Sequence, residues 1–413
     1  MPASRSRIGV IFFTVLIDLI GFGIVLPILP FYAQRFGAAG MGYGAVVGVF
    51  SLMQFVATAL LGKLSDRIGR RPVLLTTMVV NAVGYTLFAF AGSYWVLFLS
   101  RVVSGFAGGN ISAAQAYVAD ITTPAERSRG MGMIGAAFGI GFSLGPAIGG
   151  FAAHWGGHAA PGLVAVGLSV ANYLSAYFIL PESLHHELRV RRPMFDLGHI
   201  GDAVARPRLR PLMVVWALVP LGFAGYTVAL PLRAAAVLGW KERELAILFT
   251  IIGITAASVQ GYLFGKIVRR TGERALVTAG TFGMALSIAI VPFLSTSSLL
   301  YAWTFVLAVS NSVFAPAATG LVSVYADPNE QGTVLGAAQA IGALGRTAGP
   351  PLIGTIYDVS PVTSFLLAGL LMVIAGLAAL RLAPVGPHAV LSPATPVSPI
   401  ATAPLPEPPP SES

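Results

Sequence analysis

Gly62-Lys63-Leu64-Ser65-Asp66-Arg67-Ile68-Gly69-Arg70-Arg71-Pro72 is a knot of charge set between two long apolar runs. Only 10% of the chain is charged, yet Lys63, Asp66, Arg67, Arg70 and Arg71 all fall inside this stretch. Such a cluster cannot lie within a bilayer, so it marks a connection at a membrane surface. Its spacing predicts a tight helix-to-helix turn: Gly62 permits close helix approach, Gly69 can take a positive φ, and Pro72 suits the first turn of the next helix. Two readings stay open from the stretch alone, an ordinary basic loop that sets orientation and a gate.

Composition agrees with the membrane. A chain of 413 residues that is 55% apolar, with mean hydropathy +0.79, has too few polar residues to cover a soluble surface. The absence of cysteine removes disulfides, thiolate metal sites and thiol nucleophiles. The excess of Lys+Arg (25) over Asp+Glu (16) has its explanation in topology and not in nucleic acid. The basic start and apolar run after Ile8 continue past Pro30 without a small-residue cleavage site, so they read as a retained first span.

Counting runs of roughly 20 apolar residues predicts about twelve spans, near 8–33, 43–62, 72–92, 95–118, 130–153, 162–181, 211–233, 244–265, 274–294, 299–323, 332–355 and 362–383. With the N-terminus cytoplasmic, the inner loops collect Arg5, Arg7, Lys63, Arg67, Arg70, Arg71, Arg127, Arg129, the arginines from Arg189 to Arg210, Lys266, Arg269, Arg270, Arg274 and Arg381. The outer side keeps Arg35, Arg233, Lys241 and Arg243. Both termini are therefore expected inside.

The halves repeat. Gly62 and Gly69 recur 203 positions later as Gly265 and Gly272; Gly141-x-x-x-Gly145-Pro146 recurs 204 later as Gly345-x-x-x-Gly349-Pro350; Leu29-Pro30 recurs 201 later as Leu230-Pro231. The expected fold is an all-α membrane protein of two pseudo-symmetric six-helix bundles, residues 1–182 and 211–383, with a cytoplasmic loop at 183–210 between them. This is the architecture of a transporter with a midplane site. Residues 384–413, rich in proline, read as a disordered cytoplasmic tail.

Ionisable groups inside spans are functional candidates, because a charge at the bilayer centre costs about 2.5 kcal/mol or more. Asp18, near the middle of its span, is the expected proton-coupling carboxylate; the alternative is an acid that only holds an arginine in place. Arg101 lies about 9 Å from its span's midpoint and is expected to tune a nearby carboxylate or hold an anionic group. Arg346, central in span eleven, faces either an aqueous cavity or backbone carbonyls. Gln54, Asn110, Gln115, Gln260, Asn311 and Gln339 are candidate cavity amides, or helix-to-helix contacts. Phe22, Tyr85, Phe142, Tyr226 and Phe314 are candidate cavity aromatics. Gly141, Gly145, Gly149 and Gly150 predict close helix packing around a bend at Pro146. Gly105-x-x-Gly108-Gly109 lies within a span, and no Walker-type Gly-Lys-Ser/Thr occurs, so ATP drive is not expected. The six histidines show no paired metal spacing.

The charged stretch resembles the loop motif between spans two and three of the major facilitator superfamily. Arg101-x-x-x-Gly105 is similar to its fourth-span motif, and Gly141 to Gly150 to the fifth-span motif associated with antiporters. Asp18 to Pro27 and Leu180-Pro181-Glu182-Ser183 narrow the likeness to drug/proton antiporters of the tetracycline-exporter type. The departures are Gly84 before Tyr85, Ala256 and Met284, where tetracycline exporters carry acids or a histidine. The resemblance implies a non-enzymatic secondary transporter in a bacterial inner membrane. It exchanges protons for a small lipophilic compound, uses the proton gradient and no cofactor, meets lipid but no nucleic acid, and works as a monomer. A proton-coupled carrier of a neutral or anionic metabolite is the alternative; a non-transporting receptor is a third reading. The motif also implies roles for the charged loop. Asp66 would accept bonds from a helix N-terminus across the halves, and Arg70 would pair with Asp120, latching the cytoplasmic side.

Overall fold

The structure is a computed structural model that describes residues 2–184, 205–326 and 330–383. Most of the expected central loop and all of the expected tail lie outside these residues. Every element among the described residues is helical. The first span is broken, Pro2–Val25 followed by Leu29–Arg35 at a bend of 41°, because Pro27 and Pro30 interrupt the backbone ladder. Gly40–Ile68, Arg70–Ala89, Tyr94–Ile121, Pro124–Gly156 and Ala160–Ile179 complete the first six. The second six begin with Arg210–Leu238. The eighth and ninth follow as one long helix, Glu242–Phe293, divided at Gly272 (φ 75°, ψ 159°). Ser297–Tyr325, Gln331–Val359 and Pro361–Leu380 complete the set.

Length and apolarity alone qualify nine helices, or ten with the bent pair joined. The break at Gly272 adds one. Gln331–Val359 adds the last: its glycines, threonines and Arg346 lower its apolarity, and it packs against the second and seventh spans. The molecule turns its apolar side outward, as a bilayer requires. Leu163, Val170, Leu174 and Phe178 of span six and Leu366, Leu370, Ile374 and Leu377 of span twelve are exposed at helical spacing.

The sequence repeat is also a repeat of backbone and contacts. Gly69 and Gly272 both take positive φ (113° and 75°), a conformation glycine adopts without strain. Arg71 Nη2 donates to the Tyr177 carbonyl at 2.6 Å, and Arg274 Nη2 to the Leu380 carbonyl at 2.7 Å. Ser93 and Thr296 cap spans four and ten, accepting from Val96 and Leu299 N–H. Span one packs on five as seven packs on eleven, and three on six as nine on twelve. Between the halves, span two meets eleven and span five meets eight.

Those inter-half contacts close one side only. On the side away from the charged loop, a Cβ added to Gly40, Gly44 or Gly48 would meet Asp358, Pro350 or Thr347 of span eleven. Met41 N–H donates to Asp358 Oδ2 at 2.8 Å, placing a carboxylate at the N-terminus of span two, where the helix dipole favours it. Tyr43 Oη donates to the Thr227 carbonyl at 3.1 Å, and His158 Nδ1 lies 3.6 Å from Glu242 Oε1. Ile28, Leu29 and Tyr43 share one apolar cluster with Val228 and Leu232. On the charged-loop side, Gly132 and Gly135 of span five, Gly261 and Gly265 of span eight, and Gly332 and Gly336 of span eleven have open space about them. The bundle is a cleft, shut at the far side and open at the side of Gly62–Pro72.

Substituting Gly44→Trp should wedge spans two and eleven apart at the closed side. With no native cysteine to interfere, a Tyr43→Cys reporter, at a position 3% exposed, is expected to react with a soluble maleimide several-fold faster in the Gly44→Trp background. Equal rates would mean that the packed contact does not close the cleft.

Candidate functional site

Two adjoining cavities occupy the middle of the bundle. The larger, about 420 Å³, is lined by spans one, two, four, five, seven, eight, ten and eleven. Its charged lining residues are Arg101 and Arg346; Phe22, Tyr43, Phe50, Phe138, Phe142, Phe223, Tyr226 and Phe249 supply an aromatic wall, and Ser51, Thr227, Gln260 and Asn311 add neutral polar groups. The smaller is polar and holds Asp18, Gln54, Asn81, Tyr85, Ser104 and Asn110. Phe22, Phe50, Phe138, Phe142 and Arg101 line both, so an aromatic partition separates them. Phe22 stands 4.9 Å from Phe50 and 5.5 Å from Phe142, ring centre to ring centre.

The helices are irregular where they meet these cavities. A 3₁₀ turn at Gly108–Asn110 sets Asn110 toward Asp18, and π turns at Gly225–Ala229 and Val259–Leu263 carry Tyr226, Thr227 and Gln260 to the large cavity. Such bulges shift the helical register and cluster at working sites. The sequence reading treats these spans as regular helices.

Asp18 is half-buried and held by two amides, Asn110 Nδ2 donating to Oδ2 at 2.7 Å and Asn172 Nδ2 to Oδ1 at 3.1 Å. Asn172 also reaches the Thr14 carbonyl at 3.0 Å. Amides, not an arginine, therefore carry the carboxylate. Arg101, 2% exposed, donates from Nε to Ser100 Oγ at 3.2 Å and lies over the Phe88 ring at 5.0 Å, while Nη2 has no hydrogen-bond partner. The expected carboxylate partner for Arg101 is not within ion-pair distance; Tyr85 lies within electrostatic reach of both charges.

The remaining candidates divide. Gln260, Asn311 and Arg346 reach the large cavity; Gln54 lines the small one and contacts the Gly108 carbonyl at 3.4 Å. Gln115 and Gln339 line neither and are exposed. Gln339 stands two helical turns from Arg346 toward the open side, so its depth and not its face excludes it. Phe22, Tyr85, Phe142 and Tyr226 line cavities, whereas Phe314 is packed in the second-half core. Gly141, Gly145 and Gly149 abut Leu19, Ile20, Gly23 and Ile24 of span one, and Gly150 abuts Ala246 of span eight. Pro146 lies within the helix between them. Asn81 and Asn172 were missed, although each is an amide in an apolar span and carries the same signal as Asn110.

In the charged loop, Arg70 is buried and pairs with Asp66. It also donates from Nε to Asp120 Oδ2 at 3.1 Å and from Nη1 to Ser65 Oγ at 2.6 Å. Asp66 is 44% exposed and makes no bond across the halves, because the cleft is open there; Arg67 is exposed. The organising acid is Glu182, whose carboxylate accepts the backbone N–H of Arg70 (2.9 Å) and Arg71 (3.1 Å) at the start of span three. Ser183 Oγ donates to Asp120 Oδ2 at 3.1 Å. The sequence reading quotes Glu182 within its tetrad but assigns it no role.

The sequence profile of the Major Facilitator Superfamily matches residues 11–297 and 221–407. The chain belongs to that superfamily. Its relatives include the class C tetracycline resistance protein of Escherichia coli, 31% identical over 369 residues, covering 87% of this chain and 92% of the relative. Major facilitator superfamily domain-containing protein 10 of Homo sapiens is 29% identical over 414 residues, covering 86% and 88%. The crystal structure of the human organic anion transporter MFSD10 aligns with TM-score 0.70 at 26% identity, covering 92% of this chain and all of that one. The nucleoside transporter NupG aligns with TM-score 0.75 at 14% identity, over 91% and 99%, and shows the fold alone. As a member of this superfamily the protein is a multi-pass membrane transporter and not an enzyme.

Glu182→Ala should remove the cap of span three and the anchor of the charged loop at a cost of about 1–2 kcal/mol. Thermal unfolding in detergent is expected to fall by a few degrees, with Glu182→Asp between parent and alanine. An unchanged midpoint would show that the loop holds without this carboxylate.

Proposed function

We propose that this superfamily member is a proton-driven secondary transporter that exports a small lipophilic compound by alternating access. It lies in a bacterial cytoplasmic membrane with both termini inside. In that orientation the cleft faces the cytoplasm, and the far-side contacts among spans two, eleven, five and eight close the outside. The observation that carries the reading is Asp18, an acid within a span, held by two amides in a polar pocket that shares an aromatic wall and Arg101 with the cargo-sized cavity. Protons on Asp18 and cargo beyond Phe22 are then bound by one continuous structure. The glycine series on span five supports rocking of the halves, because it lets spans one and five move as a tightly packed pair. Likeness to the tetracycline resistance proteins favours export. Asp66 and Arg70, with Asp120, are the latch that would close the cytoplasmic side in the opposite conformation. No cofactor is required, and the working unit is a monomer in lipid.

A second reading, proton-coupled movement of an anionic metabolite, is favoured by one observation: the large cavity has two arginines in its lining and no acid. A proton and an anion in neighbouring pockets assist each other by Coulomb attraction, whereas exchange needs them to oppose. The human neighbour's description as an organic anion transporter points the same way.

Everted membrane vesicles with an acid lumen separate these readings. Under the exchange reading, a lipophilic compound added outside dissipates the pH gradient in parent vesicles and not in Asp18→Asn vesicles. Dissipation only when the compound is preloaded in the lumen would support the second reading. A gradient response unchanged by Asp18→Asn, or no response to any member of a broad compound library, would refute proton coupling through Asp18.

A further inference from the structure

We infer that Arg346 is the anchor for an anionic end group on the cargo, so that the central cavity selects a lipophilic organic monoanion with an aromatic or similarly flat body. This rests on reading the cavity as the cargo site and adds the cargo's chemical class and the residue that selects it. Arg346 sits mid-way along Gln331–Val359 and lines the large cavity. Its side chain is exposed there, and it has no hydrogen bond or ion pair among the described residues. A guanidinium at that depth persists only where water or a counter-charge meets it.

The surrounding packing fixes where it points. Gly345 is pressed onto the Ala217 carbonyl and Pro220 of span seven, and Gly349 onto Leu221 and Ala224, which pins span eleven to seven. Gly342, one turn away, leaves room for both Trp216 and the Arg346 guanidinium. The guanidinium fork therefore stands free over the cavity, in the geometry that receives a carboxylate or sulfonate with two parallel bonds.

Charge and shape across the cavity agree. Its lining contains no Asp, Glu, Lys or His. The nearest intramembrane acid, Asp18, lies in the other pocket with both oxygens occupied by amides. Arg101 adds a second positive charge from the opposite half, but at 2% exposure beneath Phe88 it is less able to meet cargo. A cation entering would meet two fixed positive charges. An anion seated on Arg346 can lay an apolar body against Phe223, Phe249, Ile252 and Phe142. A cavity of about 420 Å³ suits one drug-sized molecule.

Three probes of one shape test this on the purified full-length protein: 2-naphthoate, 2-naphthamide and naphthalen-2-ylmethylammonium, with binding read by isothermal titration. Naphthoate is expected to bind roughly tenfold or more tightly than naphthamide, the margin of a charge-assisted bond, with the ammonium weakest. Arg346→Gln should abolish the naphthoate preference while leaving naphthamide affinity within about twofold, which also reports a folded cavity; Arg346→Lys should keep part of the preference. If Arg346→Gln does not fold, the parent-to-Arg346→Lys comparison decides, and an unchanged preference there overturns the proposal, since a point charge would then replace the fork. A preference that survives Arg346→Gln, no naphthoate binding to the parent, or displacement of naphthoate by equimolar inorganic phosphate would each overturn it. The assay uses no proton gradient, so its failure leaves the vesicle result standing, and the reverse holds.

Discussion

A charge among apolar helices must be paired, hydrogen-bonded or wet, and that constraint arranges this molecule. Asp18 is carried by Asn110 and Asn172, Arg101 by Ser100 and the face of Phe88, and Arg70 by Asp66, Asp120 and Ser65. Arg346 is the exception, left facing the cavity. The paired charges hold helices in place, and the open one is where a solute has most to offer. The same constraint explains the irregular turns, since each bulge frees backbone or redirects a polar side chain where the spans approach the cavities.

The two ends of the bundle use one device in opposite senses. At the closed end an acid late in span eleven, Asp358, meets the N-terminus of span two. At the open end an acid late in span two, Asp66, is free of span eleven and pairs within its own loop. The pseudo-two-fold relation of the halves makes spans two and eleven, like five and eight, meet in crossing pairs. Closing one end by glycine packing therefore parts the other. Glu182 keeps the charged loop folded while it is parted, because it caps span three from within the same half.

Much of this was legible in the sequence. The twelve spans follow from apolar length, and the repeat follows from glycines whose spacing survives as matching positive φ at Gly69 and Gly272. Asp18, Arg101 and Arg346 announce themselves as charges out of place. What the sequence did not disclose is partnership. Nothing in the spacing says that Asn172, 154 positions from Asp18, is its second amide, or that Gln339 lies too near the mouth to line the cavity. The bulges at Gly225–Ala229 and Val259–Leu263 were equally hidden, because a π turn changes register without changing apolarity.

The central claim is that the two ends open reciprocally about one cavity. Spin labels on Met41 and Val359 at the closed end, and on Arg67 and Gly332 at the open end, report it by pulsed dipolar distance measurement in lipid nanodiscs across pH. The account predicts that any condition lengthening the first distance shortens the second. Distances that grow together, or change at one end alone, would contradict it.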